Sequence, residues 1–163
     1  MTAKVISKVL EIENCGKDIV LQALFKARFW EIISPADKME ANFTSPNVLH
    51  TKIVDHIKVV NIDVEMEGEL VLIDKGEEEG KGRLIEFNIR NNKDIKELEG
   101  RIRVKALSSN KSKIGVFIHN FILSSDFLSV FGSATELVLR TKITGALRNL
   151  EKYCRTNNLN SLL

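Results

Sequence analysis

Three histidines, two cysteines and one asparagine set in an apolar strand are the residues of this chain whose types could do chemistry, and their spacing narrows what that chemistry could be. His50 and His56 stand six positions apart, so on a regular strand they share one face, which also carries Lys52. That pattern reads as solvated or edge histidines. A zinc site needs three or four ligands at Cys or His spacing, which neither this pair nor His119 supplies. No GxSxG, HExxH, GxGxxG or P-loop pattern occurs. The glycine-rich run Gly76 to Gly82 contains three consecutive glutamates, which would repel a phosphate, so it reads as a hairpin turn. Neither a metal nor any other cofactor is expected. Asn120 keeps phase with Ile114, Val116, Ile118 and Ile122. If that face points inward, a neutral polar group sits in an apolar lining, either orienting a ligand's polar end or bonding to nearby backbone or water. The opposite face, Phe117, His119, Phe121 and Leu123, is apolar as well. Either it meets a second copy of the chain or another protein, or the phase is inverted.

The elements that must position these residues follow from hydrophobic period. Residues 3 to 12 read as an opening strand, broken at Asn14-Cys15-Gly16, with Asn14 as a helix cap. Val20, Ala23, Leu24, Phe29, Ile32 and Ile33 follow helical spacing, in two short helices that bend near residues 26 to 28 and stop at Ser34-Pro35. Strands then dominate. Ile62, Val64, Met66, Leu70 and Leu72 alternate with acidic or polar residues, as do Ile85, Phe87 and Ile89, and then Leu98, Gly100, Ile102, Val104 and Ala106. Gly68 on the apolar side suggests a bulge or sharp bend. Ser124-Ser125-Asp126 caps a helix expected to run from about Phe127 to Cys154, roughly 42 Å long. Its apolar stripe includes Phe127, Phe131, Leu137, Val138 and Leu147, while Arg140, Lys142, Arg148, Glu151 and Lys152 are expected to face solvent. Residues 1–156 are read as a single domain and 157–163 as a flexible tail.

Composition sets limits on function. The chain has 163 residues, with 24 basic and 22 acidic side chains leaving a net charge of +2. A nucleic-acid binder usually carries a strongly basic face, so none is expected as partner. No apolar run approaches the roughly 18 residues a spanning helix needs, so no stable membrane insertion is expected. The first residues lack a long apolar stretch, which points to a cytoplasmic protein.

This order of elements resembles the helix-grip fold of the START and birch-pollen-allergen superfamily, also called SRPBCC or polyketide-cyclase-like. The residues that carry the likeness are the first strand, the short-helix stretch Val20 to Pro35 with its Phe29-Trp30 pair, the acidic strand Asp63 to Leu72, Glu99-Gly100 opening a strand, and the terminal helix. Within the superfamily the sequence looks most similar to subunit-G-like proteins associated with carbon monoxide dehydrogenase and to archaeal START-like proteins. It departs from the former where Asn120 to Ser125 replaces a glycine-rich turn.

The resemblance implies an α+β fold: a curved antiparallel sheet of about seven strands wrapped around a long C-terminal helix, with two short helices after the first strand. It also implies an apolar cavity between sheet and helix, and a role in binding or carrying a hydrophobic, lipid-like small molecule. The lining expected on this basis is Phe29, Trp30, Ile33, Met39, Ile62, Val64, Met66, Phe87, Ile102, Val104, Ile118, Asn120, Phe127, Phe131 and Val138. The same side chains could instead fill the core completely. No catalytic residue is assigned. A cavity-based enzyme of the cyclase or hydrolase kind, or a solid-core accessory subunit acting through its surface, are the alternatives to a binding role, with homodimerisation or recruitment to another protein as further options. The same fold would bring Cys15, before the first short helix, near Cys154 at the end of the long one. Two free thiols are the expected state and a disulfide the alternative.

Overall fold

The computed structural model describes residues 6–157 and 159–163; residues 3 to 5 of the expected opening strand lie outside them. Strand β1 (Ile6–Glu13) is followed by helices α1 (Lys17–Ala23) and α2 (Ala27–Ile33), then by β2 (Lys38–Ser45), β3 (Val48–Ile57), β4 (Ile62–Glu78), β5 (Gly82–Arg90), β6 (Ile95–Ser108) and β7 (Lys111–Leu123). Helices α3 (Ser125–Phe131) and α4 (Thr135–Thr156) complete the order, with a 3-10 turn over Gly132–Ala134 between them. The seven strands form one antiparallel sheet ordered β1-β7-β6-β5-β4-β3-β2. Among the described residues, no helix is long and apolar enough to cross a membrane.

This is the helix-grip arrangement. The long meander pairs sequence neighbours, as antiparallel strands joined by tight turns do, and a single long-range step lays β1 beside β7. Helix α4 packs near β1 and helix α2 near β2, so the two edges of the sheet are flanked by helices. The alternation read from the sequence sets the inward face: Val64, Leu72, Ile85, Phe87, Ile102 and Val104 are buried, and the acids and bases between them are half-buried or exposed.

Several local expectations are corrected. Asn14 does not cap α1, whose N-cap is Gly16. It adopts a left-handed turn (φ 64°), which Asn tolerates, and its Nδ2 donates to the Cys154 carbonyl at 3.0 Å. Gly68 marks no bulge: β3 and β4 stay in register across it. A Cβ there would collide with the side chain of Asn92, whose Oδ1 accepts from the backbone of Asp94 and Ile95 and so fixes the β5–β6 turn. The single long helix is divided at Gly132 (φ 49°, ψ −124°), a conformation that a residue with a side chain rarely adopts. Ser124 does cap the first piece, its Oγ accepting from the Phe127 amide. Residues 159–162 form a 3-10 turn whose Leu159 is fully buried in the main core.

The cysteines are joined. Cys15 and Cys154 form a disulfide with Cα atoms 6.2 Å apart, both side chains fully buried. The free-thiol expectation is thereby replaced. The bond closes a loop of 139 residues between the start of α1 and the end of α4, and the Cys15 carbonyl also accepts from buried Ser112 Oγ at 2.9 Å.

Where the β4–β5 register shifts between Asp74 and Gly76, Asp74 meets Arg83 in a two-pronged pair, Nε to Oδ1 at 2.8 Å and Nη2 to Oδ2 at 2.7 Å. The Arg83 guanidinium holds the Asp74 carboxyl below its ordinary value. A depressed carboxylate adds stability above that ordinary value and loses it as pH falls through the lower, folded one. Arg83→Gln should therefore cost stability at neutral pH and nothing in strong acid. The loss should be small, because both side chains are over a third exposed and water screens the pair. Urea titrations of both proteins from pH 2 to 7 would show the two curves converging in acid.

Candidate ligand cavity

Between the inward face of the sheet and helices α2, α3 and α4 lie two adjoining cavities of about 270 Å³ each. The first is framed by β3, β4, α3 and the first half of α4. The second is framed by α1, α2, β5 to β7 and the second half of α4. Leu98, Leu139 and Lys142 border both. Each is just below the roughly 300–1,000 Å³ usual for small-molecule sites, and together they fall within it.

The expected lining residues separate into three groups. Met39, Val64, Met66, Phe127, Phe131 and Val138 border the first cavity. Phe29, Trp30, Ile33, Phe87, Ile102 and Ile118 border the second. The Trp30 indole N–H is spent on the Leu24 carbonyl at 2.8 Å, so the ring presents an apolar surface and packs edge-on against Phe29. Ile62, Val104 and Asn120 border neither. Ile62 packs in a satellite cluster with Ile57 and Phe131, and Val104 is wholly enclosed in the main core.

Asn120 is the instructive displacement. On the β6–β7 ladder Glu99 faces Asn120 while Gly100 faces Ile118, so His119 is an extra residue on β7. A bulge of one residue reverses which side chains point inward. Ile114, Val116 and Ile118 face the second cavity, whereas beyond His119 it is Phe121 and Leu123 that face the first. Asn120 is turned to the outer surface, where its Nδ2 donates to Glu97 at 2.7 Å. Both faces of β7 read as apolar in sequence because each is the inner face on one side of the bulge.

The histidines also lie on the outer face, each beside an acid: His50 by Glu67 at 3.2 Å, His56 by Asp63 at 2.8 Å and His119 by Glu99 at 3.9 Å. The polar groups that do reach the cavity are different ones. Asp55 is 5% exposed and pairs with Lys142 Nζ at 2.5 Å. Its other oxygen accepts from the Asp37 amide at 3.2 Å, and Lys142 makes a longer bond, 3.5 Å, to the Pro35 carbonyl. The pair borders the first cavity and also an outer cleft lined by Pro35, Asp37, His56, Lys58 and Thr141, so it stands at the mouth.

Lys142 was expected to face solvent. It stands four residues after Val138, three after Leu139 and one before Ile143, which places it on the inward stripe of α4. Asp55 follows the same logic on β3, in the inward series Leu49, Ile53 and Ile57. A charge in phase with an apolar series was the available signal in both cases.

No protein-family model and no curated protein sequence matches the chain. Solved structures do. A START superfamily protein from Mycobacterium smegmatis superimposes with a TM-score of 0.67 at 11% identity, over 94% of this chain and 98% of that one. The Zhui aromatase/cyclase from a Streptomyces species gives 0.64 at 13%, over 93% of each chain. Norcoclaurine synthase from Thalictrum flavum gives 0.61 at 14%, over 96% of this chain and 89% of that one. At these identities the likeness is one of fold: the chain has the START/SRPBCC architecture over nearly its whole length.

Proposed function

We propose that this protein binds a hydrophobic small molecule between the sheet and the long helix. The observation that carries the reading is the pair of adjoining cavities walled by aliphatic and aromatic side chains, with Leu98 and Leu139 on both. A close-packed core would leave few voids larger than a water molecule. Apolar walls with few polar groups are what a lipid-like ligand needs.

Native mass spectrometry of protein from its source, before and after solvent extraction, should reveal a bound lipid-like molecule or its uptake from a mixed lipid extract. Protein that is empty and stays empty would overturn the proposal. Leu98→Trp extends a bulky ring into the space next to both cavities. It should reduce uptake at least tenfold while the circular dichroism spectrum stays native, since the added volume enters a void rather than a packed core.

A second reading, a cyclase- or hydrolase-like enzyme, draws support from Asp55 and Lys142, two ionisable groups converging at the cavity mouth. Asn120 and the histidines lend it none from their outer positions. The accessory-subunit reading would use Leu128, Val130 and Leu137, about half exposed on α3 and α4, but it calls for a filled core.

A further inference from the structure

We infer that the ligand is an amphiphile whose polar end is an uncharged oxygen group, a ketone, ester or alcohol, seated at the Asp55–Lys142 pair. The inference rests on the binding function proposed above and specifies the ligand's chemistry. The walls of both cavities are otherwise nearly all apolar, and this pair is where charge reaches them. Because the pair also borders the outer cleft, a ligand entering tail first would leave its polar end beside it.

The charges of the pair determine what that end can be. Lys142 has three N–H donors, of which Asp55 takes one and the Pro35 carbonyl, at 3.5 Å, takes another. The remaining donor can serve a carbonyl or hydroxyl oxygen. A carboxylate brought to the same ammonium would lie against the Asp55 carboxylate, which is 5% exposed and tethered by the Asp37 amide, so it cannot swing away into water. Like charges at such separation in a poorly solvated site repel strongly. An alkylammonium would meet Lys142 in the same way. A neutral oxygen group meets neither repulsion, and an alcohol can accept from Lys142 while donating to Asp55.

Calorimetric titration with four probes of matched chain, decyl methyl ketone, decanol, decanoate and decylamine, tests this at neutral pH. The ketone and alcohol should bind at least tenfold more tightly than the two ions. Asp55→Asn keeps the shape, removes the negative charge and leaves the lysine in place, so decanoate should gain at least tenfold over its wild-type affinity while the ketone changes little. Wild-type protein that takes decanoate as well as the ketone overturns the inference and leaves the binding function standing. Protein that takes none of the four overturns both. Should Asp55→Asn fail to fold, the wild-type series by itself decides between these outcomes.

Discussion

Replacing both cysteines, as Cys15→Ala with Cys154→Ala, should lower the midpoint of thermal unfolding by roughly 8 to 20 °C while leaving the native fold in place. The disulfide closes a loop of 139 residues. In the chain-entropy description, releasing so long a loop returns about 4–5 kcal/mol of freedom to the unfolded state, at the upper end of what native disulfides contribute. For a chain of this length each kcal/mol moves the midpoint by about 2–4 °C. The fold should survive because the same two ends are tied independently. Asn14 holds the Cys154 carbonyl, Ser112 holds the Cys15 carbonyl, and buried Leu159 packs beyond the helix end. Both sulfurs are fully buried, so a reductant added to native wild-type protein should act only as fast as the structure opens. Calorimetric scans of the double variant, and of wild type with and without reductant, measure the effect. A shift below about 2 °C would mean that the unfolded chain keeps these ends together without the bond.

The disulfide also marks the boundary of what the amino-acid sequence could reveal. Strand alternation and the terminal amphipathic pattern are local, period-based signals, and they were enough for the antiparallel sheet, the two short helices and a terminal helix, while the way these pack together was implied only by the family resemblance. Proximity of Cys15 and Cys154 is a property of the closed fold, visible only through resemblance to a known architecture. Cavity residues divide along the same line. Val64 and Met66 sit in an unbroken alternation and border the first cavity, whereas Asn120 lies one residue beyond a bulge that no local pattern announces. Two phases on β7, each apolar, were the trace of that bulge. Gly132 breaks the long helix although the apolar stripe continues through it, because the stripe records which side is inward and not whether the backbone stays helical. Lys142 was assigned to water by its charge, and charge outweighed position; its place in the stripe with Val138, Leu139 and Ile143 pointed the other way.

That lysine should prove costly to remove. Lys142→Met takes the counter-charge from a carboxylate that is only 5% exposed, and should destabilise the protein toward the lower end of the roughly 3–5 kcal/mol that breaking a fully buried pair costs, because the Lys142 side chain keeps 30% exposure. The methionine fills nearly the same volume and suits the apolar walls, so the loss would report charge rather than packing. One further result separates this from a simple steric effect. The double variant Lys142→Met with Asp55→Leu should be close to wild type or more stable, since exchanging a whole buried pair for apolar groups removes the desolvation cost of both charges. Denaturant titrations of the two single variants and the double variant form the cycle, and a coupling of several kcal/mol is the expected outcome. If the double variant is as stable as wild type, the pair contributes nothing to folding that apolar residues could not supply. Two charges held at the mouth of an apolar cavity at no gain in stability would then have their explanation in what the cavity holds. A double variant that loses as much as both singles combined would show no coupling, so Lys142 and Asp55 would contribute independently and the Lys142→Met loss would report packing rather than charge.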